Sequence, residues 1–164
     1  MKAWTERPAE IANLLNPAFC GEIIRRVVLK YQTEKGKPLP FLFTFLILPL
    51  LTNKSVRERI PTQGSPKFHA WLEENPDCKI GMPSRIDQLS QITREAILFL
   101  TKHGCLDLDE EGNLKVMMVS KPSIINHDEQ RHPHNFYKKA EKLGQWFSTS
   151  GGPSVVFASL GVKV

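Results

Sequence analysis

Residues 16–31 of the chain read NPAFCGEIIRRVVLKY. Asn16 can accept a hydrogen bond from an early helical N–H group, and Pro17 suits the first helical position because the donor it lacks would be unpaired there. Apolar residues then recur every four positions as far as Tyr31 and form one stripe. This stretch therefore predicts an amphipathic helix from Pro17 to about Tyr31 that packs its stripe into a core.

A second stretch predicts the centre of that core. Residues 40–51 read PFLFTFLILPLL and are apolar on every face, as expected of a helix enclosed by others. With 164 residues, 41% of them hydrophobic, the chain is long enough for one well-buried core. The longest apolar run, 39–51, is far shorter than the ~20 residues that a membrane helix needs, and residues 1–7 do not resemble a secretory signal. We therefore expect a single cytoplasmic domain.

The rest of the chain predicts shorter helices and one β-hairpin. The capping-box spacing of Ser55 and Glu58 predicts one helix start. Two short strands, 105–108 and 114–117, flank an acidic turn, and the apolar tail 155–164 is a helix or a strand. Further helices, indicated by apolar spacing and by Pro or Gly at their ends, are predicted at residues 66–74, 83–90, 92–103 and 136–147.

The predicted fold is mainly α with a small β-hairpin, in a single compact domain that contains a winged-helix-like element. The order helix, helix, hairpin is that of a winged helix. The predicted parts are a basic helical part at 1–60, the winged-helix-like element at 83–119, and a closing helix and tail at 135–164. Residues 117–134 are the least patterned segment and predict a loop.

Candidate catalytic and metal-binding residues are few. The group with metal-ligand chemistry lies in that loop and consists of His127, Asp128, His132 and His134. Its spacing fits neither a helical His pair nor a turn motif, so a His-rich surface loop is favoured over a metal site. The three cysteines, Cys20, Cys78 and Cys105, are too far apart for a zinc ribbon and predict reduced thiols in or near the core. A triad of residues distant in sequence stays open, but the patterns predict no enzyme, no bound metal and no cofactor.

The turn of the predicted hairpin is strongly acidic. It carries Asp107, Asp109, Glu110 and Glu111, at spacings that favour a solvated turn over a cation site. A wing that grips DNA approaches a backbone with one negative charge per ~1.7 Å, which would repel these carboxylates. The acidic turn therefore predicts that the wing contacts protein and not DNA.

The helix before the hairpin supports this interpretation. Its outward face has one large hydrophobe, Leu98, and few side chains suited to reading bases. The alternative, that Leu98 is an ordinary scattered surface hydrophobe, stays open. The predicted buried stripe consists of Ile92, Ala96, Phe99 and Leu100, and the outward face of Thr93, Arg94, Leu98, Thr101 and Lys102. The predicted partner-binding residues are Arg94, Leu98, Lys102, Asp109, Glu110 and Glu111.

Positive charge is concentrated in the first part of the chain. Residues 1–67 carry 11 Lys and Arg against 5 Asp and Glu, whereas residues 68–164 carry 11 against 12. Such a field can steer the first part towards phosphate or towards an acidic protein surface. For Arg25, Arg26 and Lys30 in the first helix, interaction with the negative C-terminal end of that helix is favoured over contact with nucleic acid. The candidate DNA-binding residues are Arg25, Arg26, Lys30, Lys54, Arg57 and Arg59.

Three stretches resemble a known family. They are RPAEIANLLNPAFCG at 7–21, LGQWF at 143–147 and VFASLGV at 156–162. They are similar to segments of the small middle component of bacterial three-component ABC systems, the group to which Lamassu-type anti-phage and anti-plasmid defence belongs. The resemblance implies a non-enzymatic accessory subunit that couples an SMC/Rad50-like ABC ATPase to an effector such as a nuclease, and that meets DNA through the assembled complex. The alternative function is a stand-alone DNA-binding winged-helix regulator.

Overall fold

The computed structural model of the protein describes residues 15–64, 66–117 and 135–164. Within these ranges the chain is mostly helical with one two-stranded antiparallel hairpin, as predicted. Two 3₁₀ turns, Phe41–Phe43 and Pro76–Lys79, connect longer elements. The helices and strands, in chain order, are α1 Pro17–Lys35, α2 Thr44–Thr52, α3 Lys54–Arg59, α4 Phe68–Glu74, α5 Met82–Lys102, β1 Leu106–Leu108, β2 Leu114–Val116, α6 Phe136–Thr149 and α7 Pro153–Ser159.

Helix α1 begins as its sequence predicts. The Oδ1 atom of Asn16 accepts a hydrogen bond from the N–H of Ala18 at 2.7 Å, and Pro17 is the first helical residue. The helix continues four residues beyond Tyr31, because Gly36, with φ 70°, is the residue whose left-handed conformation ends it. The predicted apolar stripe is buried.

The apolar stretch 40–51 forms the centre of the core. It starts as the first 3₁₀ turn, where the Thr44 hydroxyl donates to the Phe41 carbonyl oxygen at 2.7 Å, and continues as α2. Most side chains of α2 are buried, which confirms the predicted core position. The enclosure is incomplete on one side, because Phe45 is half-buried and Leu42 is exposed.

Helix α1 packs against both α5 and α6, and α2 packs against α5. The closest approach is at Gly144 of α6, where an added Cβ would lie 2.6 Å from the carbonyl oxygen of Val27 and 2.8 Å from the Cβ of Lys30. At this separation of α1 and α6, position 144 accepts only glycine, which has no Cβ. Three residues later, the ring of Phe147 stacks on that of Phe43 with centroids 4.5 Å apart. One hydrophobic core draws side chains from all the helices and both strands named above.

Two predicted helix starts are wrong. The cap of α3 is Asn53, whose Oδ1 atom accepts the N–H of Val56 at 3.1 Å. The capping box predicted for Ser55 and Glu58 does not form, because Asn53 starts the helix two residues earlier. Helix α4 begins at Phe68, two residues later than predicted.

The two helices predicted at 83–90 and 92–103 are one continuous helix, α5. The residues that join them include neither Gly nor Pro, and the Ser90 hydroxyl donates to the carbonyl oxygen of Asp87 within the helix at 2.9 Å. Nothing therefore breaks the helix at this point. The helix, helix, hairpin order predicted for 83–119 does not form from these segments.

The hairpin follows α5 through Gly104, whose φ of 69° ends the helix as predicted. Its two strands pair antiparallel, with Leu108 opposite Leu114. The backbone of Leu114 also exchanges two hydrogen bonds of 2.8 Å with that of Leu39. Leu39 lies between α1 and α2 and thus joins the hairpin as a third segment.

The C-terminal part of the fold agrees with the prediction of a closing helix, which is α6, and the apolar tail after it forms helix α7. The predicted loop beyond residue 117, with its cluster of His127, Asp128, His132 and His134, lies outside the described residues. No helix in the described ranges is long and apolar enough to span a membrane. Those ranges also contain no group of three or more His, Cys, Asp or Glu residues placed to hold a metal ion.

Candidate functional site

The outward side of α5 carries an exposed apolar side chain between two cations. Leu98 is 68% exposed, and the exposed residues Arg94 and Lys102 lie one turn before and after it. The guanidinium of Arg94 lies 5.5 Å from the ring centroid of Phe45, at cation–π distance. We call the surface formed by Arg94, Leu98 and Lys102 the Leu98 face.

The opposite side of α5 holds the Leu98 face in place. The predicted stripe of α5 is buried except at Phe99, which is half-buried. Gly21 of α1 is so close that an added Cβ would lie 3.2 Å from the side chain of Leu100. Thr93, predicted to point outward, is fully buried. Because α5 packs against both α1 and α2, its buried arc is wider than the single stripe that periodicity predicts.

Of the four predicted carboxylates of the hairpin, Asp109 is structural, whereas Asp107, Glu110 and Glu111 are exposed. Asp109 accepts hydrogen bonds from the backbone N–H groups of Asn113 at 2.7 Å and Glu111 at 2.9 Å, which hold the turn. The bond from Asn113 is the main reason that the pKa of Asp109 lies below its ordinary value. Among the described residues, no hydrogen bond or ion pair joins this turn to the Leu98 face.

The predicted DNA-binding residues do not form one open basic patch. In α1, the carboxylate of Glu22 binds Arg25 at 2.8 Å and Arg26 at 2.7 Å. Glu22 is only 4% exposed, and Arg26 also reaches Glu141 of α6 at 3.2 Å. The hydrogen bond to Glu22 raises the pKa of Arg25. These two arginines therefore neutralise a buried carboxylate, and Arg26 also ties α1 to α6.

Arg57 is a correction to the predicted set, because it is only 5% exposed. Its Nη1 atom donates to the carbonyl oxygen of Leu51 at 2.7 Å, and its guanidinium lies 4.2 Å from the ring centroid of Phe136. Burial lowers its pKa, and the side chain is not accessible to a phosphate backbone. The other three predicted cations form surface ion pairs, which are Lys30 with Glu34 at 2.7 Å, Lys54 with Glu58 at 3.8 Å and Arg59 with Asp77 at 2.6 Å.

Lys30, a predicted DNA-binding residue, and two lysines that the sequence did not predict as a site line one cleft. The cleft is a cavity of about 620 Å³ between α1, α6 and residues 62–64, and Lys30, Lys138 and Lys142 line it. The four-residue spacing of Lys138 and Lys142 is the signal that could have found it, since it places both on one side of a helix. The net charge of residues 68–164 did not indicate Lys138 and Lys142, because this part of the chain holds 12 acidic residues against 11 basic ones.

The three cysteines are free and buried, as predicted. Burial raises the pKa of the Cys20 thiol to about 12 and also raises the pKa of Cys78. Since the thiolate is the reactive form, these two side chains stay protonated at neutral pH and behave as part of the core.

The LGQWF stretch at 143–147 packs the closing helix. The indole Nε1 atom of Trp146 donates to the carbonyl oxygen of Pro66 at 3.0 Å. About two turns before Trp146 in α6, the Nζ atom of Lys139 donates to the carbonyl oxygen of Arg57 at 2.6 Å. Helix α6 thus holds the segment that includes α3 and α4 through backbone carbonyl groups, and this stretch serves packing.

Comparison with known proteins agrees with the resemblance in the sequence. The family model described as ABC-three component (ABC-3C) system Middle Component 3 matches residues 4–164. No curated protein and no solved structure matches the chain significantly. Because the family model covers nearly the whole chain, including the packing stretches of α1 and α6, the protein belongs to the Middle Component 3 family of ABC-three component systems.

Proposed function

We propose that this chain is a non-enzymatic adaptor subunit of a defence complex. As a Middle Component 3 protein it is one component of a multi-subunit system, so other subunits are expected beside it. In the proposal it couples an SMC-like ABC ATPase to an effector such as a nuclease, in Lamassu-type defence against phages or plasmids. It meets DNA through the assembled complex.

The Leu98 face is the observation that carries the proposal. Leu98 is 68% exposed, so covering it with a partner would stabilise a complex by roughly 1–2 kcal/mol, about two thirds of the full transfer of a leucine side chain from water. An apolar residue with charged neighbours on a well-anchored helix fits the arrangement of an interface with an apolar centre and a polar rim. The contact of Arg94 with Phe45 restrains one of those neighbours before binding, which lowers the entropy lost on association.

The charges around Leu98 indicate the chemistry of the partner. Arg94 and Lys102 place one cation on each side of the apolar side chain, and both are exposed. Complementary potentials favour a partner surface with an apolar socket bordered by carboxylates. We assign this face to one neighbouring subunit of that description.

A winged-helix interpretation of the fold also belongs to this proposal. Helix α1, the Leu39 segment, α2, α5 and the hairpin follow one another in the order helix, strand, helix, helix, hairpin, with α3 and α4 inserted. In this interpretation α2 and α5 take the place of the two helices predicted within residues 83–103. The support is the backbone pairing of Leu39 with Leu114.

Co-purification tests the adaptor role. The chain is co-expressed with the ATPase and effector subunits of its own system, and Leu98→Glu is compared with the wild type. Ile80→Glu is the matched control, because Ile80 is 75% exposed and the substitution adds the same charge. Ile80 precedes α5, whose first residue, Met82, lies about 24 Å from Leu98 along the helix axis. We expect Leu98→Glu to weaken the binding of one subunit by at least ~10-fold, equivalent to ~1.4 kcal/mol, and Ile80→Glu to bind normally.

Three results would contradict the proposal. If Leu98→Glu co-purifies with both subunits as well as the wild type does, the Leu98 face is not the adaptor surface. If the purified wild-type chain alone hydrolyses ATP or cuts DNA, the protein is an enzyme. If the isolated chain binds double-stranded DNA tightly and in a salt-sensitive manner, the regulator is the better description.

A further inference from the structure

The cleft between α1 and α6 is separate from the Leu98 face. It has a volume of about 620 Å³, within the usual range for ligand pockets. Lys30 lines it from α1, and Lys138 and Lys142 line it from α6. Gln63 and Gln145 add two amide side chains, so the lining offers hydrogen-bond donors from both sides.

The lining of this cleft is positively charged. Three lysines stand against one lining carboxylate, that of Glu141, and Lys30 also forms an ion pair with Glu34 at 2.7 Å, which leaves one positive charge. Glu141 is also bound by Arg26 at 3.2 Å, so it is shared with a cation outside the cleft. Lys138 is exposed and forms no ion pair with any described residue. The positive potential of the cleft therefore stabilises a bound anion and destabilises a bound cation.

Lys142 provides a fixed charge at this site. It is buried, and its Nζ atom donates to the carbonyl oxygen of Gly64 at 2.9 Å and to the side-chain oxygen of Gln145 at 3.1 Å. Both of these acceptors are neutral, and they orient the ammonium group. Burial and the positive charge of Lys30 lower the pKa of Lys142, and an anion in the cleft would oppose both effects.

A second cavity continues the cleft along α1. It has a volume of about 390 Å³ and shares Lys30 and Glu141 with the first cavity. Arg25 and Arg26 line it. We call these two neighbouring cavities together the groove, and α1 and α6 approach each other closely at Gly144.

We propose that this groove binds phosphate groups. Lysine ammonium groups act as point charges for phosphate, and neutral amide and backbone groups around them add hydrogen bonds. The phosphate comes either from the backbone of a nucleic acid or from a small free phosphate compound, and the experiment separates these two sources. The proposal does not depend on the adaptor role, because no residue of the Leu98 face takes part in it.

Binding measurements on the full chain test the groove. One probe is pyrophosphate, followed by calorimetry, and the other is a labelled single-stranded oligonucleotide, followed by fluorescence anisotropy over a range of salt concentrations. The variant is Lys30→Gln with Lys138→Gln, and the control is Lys37→Gln with Lys79→Gln. All four side chains lie at least partly in solvent, so the fold should be retained, which a melting curve checks.

We expect saturable binding of at least one probe by the wild type. For the oligonucleotide, loss of two phosphate contacts should reduce the salt slope by about 1.4, which corresponds to a loss of affinity of about 25-fold at ~0.1 M salt. The control pair should bind as the wild type does. Binding of the oligonucleotide alone assigns the groove to nucleic-acid backbone, and binding of pyrophosphate alone assigns it to a free phosphate compound. No saturable binding of either probe, or an equal loss in the control pair, would overturn the proposal.

Discussion

Replacement of Gly144 by alanine tests the packing on which the fold and the groove both depend. The new Cβ would lie 2.6 Å from the carbonyl oxygen of Val27, 2.8 Å from the Cβ of Lys30 and 3.1 Å from the backbone nitrogen of Tyr31. Two of these three atoms belong to the backbone of α1. Rotation of a side chain therefore cannot relieve the overlap, and α1 and α6 must move apart.

The size of the effect follows from that movement. Carbon contacts are most favourable at about 3.5–4.0 Å, so the Cβ of Lys30, at 2.8 Å, must move away by ~0.7–1.2 Å. A gap of this size between the helices removes a quarter to a half of the dispersion energy of the neighbouring contacts. An extra methyl group in a well-packed core costs ~1–3 kcal/mol, and the short contacts here favour the upper part of that range. The better helix propensity of alanine offsets about 1 kcal/mol of this cost. We expect the free energy of unfolding to fall by ~1–2 kcal/mol and the Tm to fall by about 2–8 °C.

Thermal and urea unfolding followed by circular dichroism measure this effect. Gly152→Ala is the matched control, because an added Cβ there meets no atom within 4 Å and φ is −74°. It should change the free energy of unfolding by no more than ~0.5 kcal/mol. If Gly144→Ala is as stable as the wild type, α1 and α6 do not pack at this separation.

Three further changes test the core, a helix cap and the hairpin turn. Leu46→Ala should lower the free energy of unfolding, measured by urea unfolding, by ~2–5 kcal/mol, because the side chain is fully buried and its removal leaves a cavity. Unchanged stability would place α2 outside the core. Asn53→Ala should cost ~1 kcal/mol whereas Ser55→Ala should be nearly neutral in the same assay, and equal losses would mean that Asn53 is not the cap. The hydrogen bonds from Asn113 hold the pKa of Asp109 below its ordinary 3.8, so the stability they give the turn is complete above that value and is lost as the pH falls through the lowered pKa. Titration of the Asp109 carboxyl group by NMR checks this, and titration at the ordinary value would contradict it.

Several elements could be predicted from the sequence because their causes lie within a few residues. Asn16 and Pro17 begin α1, and Gly104 ends α5. The apolar composition of 40–51 requires burial wherever the segment lies in the fold. The same holds for family membership, since the stretches that carry the resemblance are continuous in the chain. The Leu98 face was predictable for the same reason, because helical spacing alone places Arg94, Leu98 and Lys102 on one side of a helix.

Other features depend on residues that only the fold brings together. Thr93 is buried because α5 packs against two helices at once, which the periodicity of one helix does not indicate. Arg57 is buried because α6 covers it with the ring of Phe136, and the charge of an arginine in a sequence says nothing about what lies over it. The lysine groove joins Lys30 to Lys138 from helices at opposite ends of the chain. Sequence patterns therefore determined which segments are helical and which of their sides are apolar, whereas the packing of α1 on α6 decided where the charges meet, because electrostatic fields depend on distances in space.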